Sequence, residues 1–325
     1  MKTAAVTLRL VVIWIALSNP ALGGPTDSPR DWLDRMSAAM SQMSYQGTFV
    51  YVRGDEVVTM RITHVVDEKG VKERLVSLSG APREVLRDSS GIRWVLGDDQ
   101  SVLADSAFSR GIFPELPLDD GGQAGDSYVL KLGDMGRIAG QTARNLKIVP
   151  RDIYRYGYSL WLEKHSGLLL KWELIDSRRK PLAKLMFTDI RLGSEVDPDE
   201  LAPSSQLQKF RTVESTLPVG RAGSQGAPYW QPTRLPPGFA LTAHRRYGQP
   251  GNGMYEHLIY SDGLAAVSVY VENQAESQKP VEGIRNLGTT HAYSRVADDM
   301  AITVVGDVPA VTVEFIGNAV APASR

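Results

Sequence analysis

The sequence predicts an α+β fold with two domains, each built on an antiparallel sheet. The first observation is that segments of alternating apolar and polar residues follow one another along most of the chain, joined by short turns such as Gly54-Asp55 and His165-Ser166-Gly167. The second is a stretch at 203–232, rich in Ser, Gly and Pro, that interrupts this alternation. The third is the length of 325 residues, which is enough for two separate cores.

The first 23 residues are predicted to be a secretory signal peptide. They combine a charged start (Lys2 and Arg9), an apolar run at 10–17 and a small-residue exit, with cleavage expected before Gly24. The apolar run is too short to span a bilayer. We therefore expect the mature chain to begin at Gly24 and to be exported.

A helix is predicted at 27–43. Asp27 or Ser28 is suited to cap it, and Pro29 is tolerated in a first helical turn. The apolar residues of this segment recur at helical spacing and form one stripe: Trp32, Leu33, Met36, Met40 and Met43. Such a Met-rich stripe either packs into the core or serves as an adaptable binding surface.

The rest of the first domain, 24–211, is predicted to be a meander of strands. Alternation indicates strands at 45–53, 57–66, 71–78, 83–87, 91–96, 143–150, 156–164, 168–176 and 182–192, while 127–135 fits either a strand or a helix. Short turns between consecutive strands favour antiparallel pairing. Residues 97–126, with many Gly and Asp residues, are predicted to be a long loop, and such loops are often functional.

A linker is predicted at 212–228, followed by a second domain at 229–325. The segment 235–239 (LPPGF) forms a rigid entry turn to this domain. Strands are expected at 241–247, 256–260, 265–272, 289–296 and 301–306, and a closing helix at 309–320.

Composition argues against several classes of function. The net charge is −1, so no basic face is expected for nucleic acid. The chain has no Cys, and its five His residues are far apart in sequence, so we expect neither a metal site nor a cofactor. Catalytic motifs such as G-x-S-x-G and H-E-x-x-H do not occur. We therefore expect a binding protein rather than an enzyme.

Several segments together carry a resemblance to a known family, among them 31–33 (DWL), 45–51 (YQGTFVY), 80–85 (GAPREV), the hairpin at 161–170, 235–239 (LPPGF) and 304–309 (VVGDVP). In their order and spacing they resemble the MucB/RseB family, which comprises periplasmic negative regulators of an extracytoplasmic stress sigma factor. The resemblance extends over nearly all of the mature chain.

This resemblance implies both a fold and a function. The first domain would be an unclosed antiparallel half-barrel with helices on its concave face, as in lipoprotein carriers, and the second a smaller α+β domain. The protein would bind the periplasmic domain of a membrane anti-sigma factor and shield it from proteolysis. Lipopolysaccharide or a related acyl lipid would release it. The family also suggests a homodimer or a higher oligomer.

Two groups of residues are candidates for these contacts, chosen for strand alternation and aromatic content. The candidates for lipid are Phe49, Tyr51, Met60, Trp94, Trp161 and Trp172, and those for the partner protein are Phe239, Tyr260 and Tyr270. The helix at 27–43 would cover only part of the apolar face. The remainder is either a groove for an acyl chain or an apolar partner helix, or is filled by the loop 97–126. A periplasmic lipid or lipoprotein carrier without a signalling role is the alternative function, because fold does not fix function.

Overall fold

The computed structural model describes residues 27–80, 83–89, 91–96, 124–193, 198–203, 211–215, 226–249, 252–273 and 282–323. The predicted signal peptide and residues 97–123 of the predicted long loop lie outside these ranges. Within them, none of the helices has the length and apolarity needed to cross a membrane.

Helix α1 (Pro29–Gln42) confirms the predicted N-terminal helix, with slightly closer bounds. A capping box fixes its start. The Ser28 hydroxyl accepts a hydrogen bond from the Asp31 backbone N–H at 3.2 Å, and the Asp31 carboxylate accepts one from the Ser28 N–H at 2.7 Å. The buried side of the helix carries Trp32, Leu33, Met36 and Ala39.

The first domain is one large antiparallel sheet of eleven strands. The strands and the short helix α2 (Ala124–Ser127) are, in chain order, β1 (Tyr45–Arg53), β2 (Glu56–Asp67), β3 (Gly70–Ser77), β4 (Arg83–Asp88), β5 (Gly91–Leu96), β6 (Tyr128–Ile138), β7 (Gln141–Pro150), β8 (Gly157–Glu163), β9 (Leu169–Ile175), β10 (Pro181–Leu192) and β11 (Arg211–Ser215). Their order across the sheet is β11-β5-β4-β3-β2-β1-β10-β9-β8-β7-β6. The sheet is unclosed, because β11 and β6 are its two edges.

One face of this sheet forms the main core with α1. Along β1, buried and half-buried residues alternate, which places Tyr45, Phe49 and Tyr51 on the buried side. A Cβ at Gly47 would lie 2.9 Å from the Phe187 ring, so Gly47 leaves the space that Phe187 occupies next to an irregularity in the β1–β10 register. The predicted half-barrel with a helix on its apolar face is confirmed.

Two segments differ from or refine the prediction. The ambiguous segment 127–135 is mostly strand, as part of β6. Strand β11 includes the first residues of the predicted linker 212–228, and it pairs with β5 along its whole length. This pairing extends the first sheet up to Ser215, beyond the boundary predicted at residue 211. A 3₁₀ helix (Pro198–Leu201) precedes this strand.

The second domain packs one helix against a sheet of six strands. Its elements are β12 (Trp230–Pro232), β13 (Ala240–Gln249), β14 (Asn252–Ser261), β15 (Ala266–Asn273), β16 (Gly283–Leu287), β17 (Thr290–Ala297), β18 (Met300–Gly306), α3 (Ala310–Ala319) and β19 (Val320–Pro322). The sheet order is β13-β14-β15-β18-β17-β16, and β12 pairs separately with β19. Val269, Val304, Val313 and Ile316 fill the interface between the sheet and α3 with no exposed surface.

A buried carboxylate fixes the entry into the second domain. Glu256 on β14 accepts hydrogen bonds from the backbone N–H groups of Tyr229 and Trp230, each at 3.0 Å. It also lies 2.8 Å from Nε2 of His244, and neither side chain is exposed. Because a buried charge needs several partners, this arrangement attaches the segment after the linker firmly to the sheet.

Candidate functional site

Four of the six predicted lipid residues come together on the buried face of the first sheet. Phe49, Tyr51, Met60 and Trp172 belong to one apolar cluster, and none of them is more than 8% exposed. The Phe49 ring makes an edge contact with Phe187 at 5.6 Å, and the rings of Tyr51 and Trp172 are 6.0 Å apart. The face is therefore packed, and α1 contributes to the packing. Any ligand here must displace side chains that now contact one another.

Trp161 does not share this face. It lies between Leu160 and Leu162 on β8, and both leucines are fully buried in the core. Successive strand residues point to opposite sides, so Trp161 lies on the outer face, where Lys171 is its register partner. There its ring covers Gly136, where a Cβ would overlap the indole. The predicted lipid group includes Trp161 with the inner residues, whereas its register places it on the other face, although its side chain also packs against the same apolar cluster.

Trp94 is placed only by its register on β5. It pairs with Val85 of β4 and Val213 of β11. Val85 pairs in turn with Leu75, and Leu75 pairs with Ile62. All three of these residues are buried in the core. The register position of Trp94 therefore belongs to the row that runs along the buried face, while its side chain lies outside the described part of the structure.

The same buried face holds polar atoms without a hydrogen-bond partner among the described residues. They are the hydroxyl of Tyr45, Nε2 of His64 and Nε1 of Trp172. Burial raises the pKa of the Tyr45 phenol well above its ordinary value, so this hydroxyl stays protonated. An unpaired buried polar group is costly, which makes these atoms candidates for contacts with a ligand.

The two domains meet at a buried ion pair. Arg155, in the segment between β7 and β8, lies 2.5 Å from the carboxylate of Asp262 in the turn between β14 and β15. Neither side chain has exposed surface. The guanidinium also donates to the backbone carbonyl of Pro237 at 2.5 Å and to the carboxylate of Asp152 at 2.9 Å. Because its partners lie in both domains, Arg155 is the centre of the junction.

Further groups complete this buried cluster, which we call the Arg155 junction. The Tyr128 hydroxyl donates to Asp262 at 3.0 Å. Burial raises the pKa of Tyr128 far above its ordinary range, and the charge of Asp262 adds to the effect, so the phenol remains a donor. The ring of Phe239 lies 5.2 Å from the Arg155 guanidinium, within the range of a cation–π contact. The other Asp262 oxygen accepts from the backbone N–H groups of Leu264 and Ala265.

Other contacts also connect the domains outside the Arg155 junction. Arg53 at the end of β1 donates to the Thr290 hydroxyl at 2.5 Å and lies 3.2 Å from the Asp307 carboxylate. At the start of α3, the Thr312 hydroxyl donates to the Tyr154 carbonyl at 2.7 Å, and the rings of Tyr154 and Phe315 are 5.1 Å apart. The first helical turns of α3 therefore lie directly against the first domain.

The three predicted partner-binding residues occupy different places. Phe239 is 6% exposed and packs at the Arg155 junction, and Tyr260 is 3% exposed inside the second core. Tyr270 lies on the face of the second sheet opposite α3, where its ring stacks on His257 at 4.3 Å and lies 6.2 Å from Tyr255. The structure thus places Phe239 and Tyr260 within packed cores and Tyr270 on an outer aromatic face.

Arg155, Asp262 and Tyr128 are not among the site residues predicted from the sequence. Arg155 and Asp262 are 107 positions apart, so no local pattern indicates their contact. Among the described residues, no group of three or more His, Asp or Glu side chains is arranged to hold a metal ion. The arrangement is suited to binding: an apolar face with a few polar atoms, next to a junction through which two domains contact each other.

Comparison with known proteins identifies both halves of the chain. A family model for the MucB/RseB N-terminal domain matches residues 28–205, and one for the MucB/RseB C-terminal domain matches residues 224–321. The sigma factor AlgU regulatory protein MucB of Pseudomonas aeruginosa is 33% identical over 304 residues, which cover 90% of each chain.

Solved structures cover the same extent of the chain. A crystal structure of MucB in complex with MucA(peri) is similar with a TM-score of 0.72 and 31% identity, over 92% of this chain and 100% of that one. A crystal structure of MucB is similar with a TM-score of 0.63 at the same 31% identity, over 91% of this chain and 98% of that one. Both domains are thus similar to a solved protein of known partner.

Proposed function

The chain belongs to the MucB/RseB family, and we propose that it is a periplasmic negative regulator of an envelope-stress sigma factor. In this proposal it binds the periplasmic domain of a membrane anti-sigma factor and shields that domain from proteolysis. Lipopolysaccharide or a related acyl lipid then releases it. The protein acts by binding and carries out no catalytic step.

The likeness to MucB in complex with MucA(peri) is the observation that carries the proposal. It extends over 92% of this chain and all of that one, so both domains and the connection between them have counterparts in a protein bound to such a partner. The TM-score is also higher against this complex than against the crystal structure of MucB, at 0.72 and 0.63, although the identity is the same. This supports the proposal that the two domains of this chain are arranged more as in MucB with its partner than as in the crystal structure of MucB.

Lipid, in this proposal, enters the buried face of the first domain. Phe49, Tyr51, Met60 and Trp172 line that face, and Trp94 lies on it by register. Trp161 would contact an acyl chain only from the outer side of the sheet. The Met-rich side of α1 supports this placement, because unbranched Met side chains repack around a new ligand at a small cost.

The partner protein would contact the second domain, near Phe239, Tyr260 and Tyr270. Of these, Tyr270 lies on the sheet face opposite α3, whereas Phe239 adjoins the Arg155 junction and would become available only if that junction rearranged. Partner binding and domain arrangement are then linked.

The Arg155 junction gives a physical route for communication between the two ligands. Arg155 lies directly before β8, whose Leu160 and Leu162 are buried in the core that lipid would enter. Asp262 lies in the turn that leads into β15, which carries Tyr270. If lipid and partner favour different domain arrangements, each weakens the other by the same factor, and a coupling of about 1–3 kcal/mol corresponds to roughly 5–150-fold.

A pulldown tests the proposal. The mature protein, residues 24–325, is immobilised and incubated with the periplasmic segment of the host's anti-sigma factor, with and without purified lipopolysaccharide. We expect retention of the segment, loss of retention when lipid is added, and slower cleavage of the bound segment by an added protease. Failure to retain the segment, with acyl lipid still bound, would favour the carrier without a signalling role.

Self-association is part of the same proposal. We expect a homodimer or a higher oligomer, as the family suggests. Sedimentation equilibrium of the mature chain measures this directly, and a mass equal to one chain over the whole concentration range would contradict it.

A further inference from the structure

We propose that the buried face of the first domain ends in a subsite for a neutral hydroxyl group, formed by Tyr45 and His64. The inference rests on the proposed entry of acyl lipid into this face, and it specifies the chemistry of the ligand's polar end. The ligand class is an amphiphile with an apolar chain and a hydroxyl-bearing head.

The subsite lies in a row of residues that crosses the sheet. Tyr45 on β1 pairs with His64 on β2, His64 with Glu73 on β3, and Glu73 with Arg87 on β4. Tyr45 lies on the same face as Phe49 and Tyr51, because these positions are an even number of residues apart along β1, and His64 is the register partner of Tyr45 on β2. The row is therefore the polar end of a face that is otherwise apolar.

Tyr45 and His64 form a packed pair. Their rings stack with centroids 4.8 Å apart and an angle of 15° between the planes. Tyr45 is 1% exposed and His64 is 5% exposed. Even so, among the described residues, neither the Tyr45 hydroxyl nor His64 Nε2 has a hydrogen-bond partner. Two buried polar atoms on a stacked pair of rings indicate a place for a group that the protein does not itself supply.

The hydrogen-bonding roles define that group. His64 Nδ1 lies 3.2 Å from the Glu73 carboxylate, which accepts, so Nδ1 carries a hydrogen, and in the tautomer with this single hydrogen Nε2 is an acceptor. The protonated Tyr45 hydroxyl is a donor. A hydroxyl is the neutral group that can both accept a hydrogen bond from Tyr45 and donate one to His64. An ether oxygen can accept a hydrogen bond from Tyr45 but cannot donate one to His64.

Charge also favours a neutral group over an anion. The negative Glu73 and the positive Arg87 occupy neighbouring positions in the row, and both influence the Tyr45 phenol. A phosphate or carboxylate placed beside Tyr45 would gain from Arg87 but would be repelled by Glu73. The row thus offers no net positive charge to hold an anion.

Methionines provide the route by which a chain reaches this end. Met40 and Met43 are half-buried against the same core, at the end of α1 that leads through Ser44 into Tyr45. Their flexible side chains would open a path along the face without unfolding the helix.

The test compares four probes with a decyl or decanoyl chain by isothermal titration calorimetry with the mature protein: 1-decanol, decyl methyl ether, decanoate and decyl phosphate. We expect decanol to bind about tenfold more tightly than the ether, since the net contribution of one buried hydrogen bond is of this order. Tyr45→Phe removes the donor that both of these probes use, so it should weaken the binding of decanol and of the ether by a similar factor. Tyr247→Phe, at an exposed tyrosine of the second domain, is the matched control and should change nothing.

The Tm of the variant without ligand shows whether Tyr45→Phe disturbs the fold. Because Tyr45→Phe removes a buried hydroxyl that has no partner among the described residues, the variant without ligand should melt no lower than the wild type. A lower Tm would mean that the hydroxyl has a structural partner, and would overturn the inference. Equal affinities for decanol and the ether, or tightest binding of decyl phosphate, would also overturn it while leaving the lipid face intact. If no probe binds, the lipid face itself fails.

Discussion

Replacement of Arg155 by Met tests whether the Arg155 junction holds the two domains together. Methionine keeps an unbranched apolar side chain against Phe239 and Tyr128 but removes the guanidinium. The substitution leaves the Asp262 carboxylate buried, with no exposed side-chain surface and without its cationic partner. It also removes the hydrogen bond that Arg155 donates to the Pro237 carbonyl in the second domain.

The expected cost follows from the burial of both charges. Breaking a fully buried pair from one side typically costs about 3–5 kcal/mol, because the remaining charge is uncompensated. Adding Asp262→Asn to Arg155→Met removes that charge, while the amide oxygen still accepts from the N–H groups of Leu264 and Ala265. We therefore expect the double variant to be less destabilised than the sum of the two single variants, by at least about 1 kcal/mol.

Urea unfolding followed by circular dichroism measures these free energies, and small-angle scattering reports the arrangement of the domains. In the wild type the two domains should unfold together. In Arg155→Met the transition should broaden or split as the domains uncouple, and the radius of gyration should rise. Arg178→Met, in the exposed hairpin turn between β9 and β10, is the matched control and should stay within about 0.5 kcal/mol of the wild type.

The reasoning would be refuted by an Arg155→Met protein that unfolds in one transition, at the wild-type urea midpoint and with an unchanged radius of gyration. A double-mutant cycle with no coupling energy would be equally decisive. Either result would mean that other contacts hold the domains together, such as those of Arg53 and Thr312.

Three other predictions concern single sites. Burial lowers the pKa of His257, so the unfolded chain binds a proton at this residue more tightly than the folded protein does. The Tm should therefore fall as the pH drops below about 6.5. A His257→Gln variant whose Tm shows the same dependence on pH between about pH 7.5 and 5.5 would contradict this. Glu256→Gln weakens the attachment of the segment after the linker and should lower the free energy of unfolding, measured with urea, by about 1–3 kcal/mol. The control, Glu314→Gln on the exposed side of α3, should leave this free energy almost unchanged. Gly136→Ala places a methyl group against the Trp161 ring and should lower the free energy of unfolding by about 1–3 kcal/mol. Adding Trp161→Leu should restore the Tm in a melting scan. A Tm that is not restored would mean that the two residues are not in contact.

Local patterns were sufficient to predict most of the elements. Helix α1 follows from its cap at Ser28 and from the spacing of Trp32, Leu33 and Met36, which are the residues that it buries. The hairpin between β8 and β9 follows from the turn that contains Gly167. In each case the information lies within a few residues, where backbone conformation and alternation decide the outcome.

The faces of the sheet and the junction were harder to predict. The alternation of residues along β8 indicates that Trp161 faces away from Trp172, since the apolar Leu160 and Leu162 flank Trp161. The grouping of the two tryptophans followed their aromatic character and not this alternation. The ion pair between Arg155 and Asp262 has no local signal, because tertiary structure brings together residues 107 positions apart. The extension of the first sheet by β11 was also missed, since its pairing partner β5 is distant in sequence.

The central claim is that lipid and partner are linked through the domain arrangement, and reciprocal titration tests it most directly. The affinity for the anti-sigma segment is measured with and without lipopolysaccharide, and the affinity for lipopolysaccharide with and without the segment. We predict that each ligand weakens the other by the same factor, about 5–150-fold, and that Arg155→Met brings this factor towards one. Simultaneous binding of both ligands with unchanged affinities in the wild type would contradict the account.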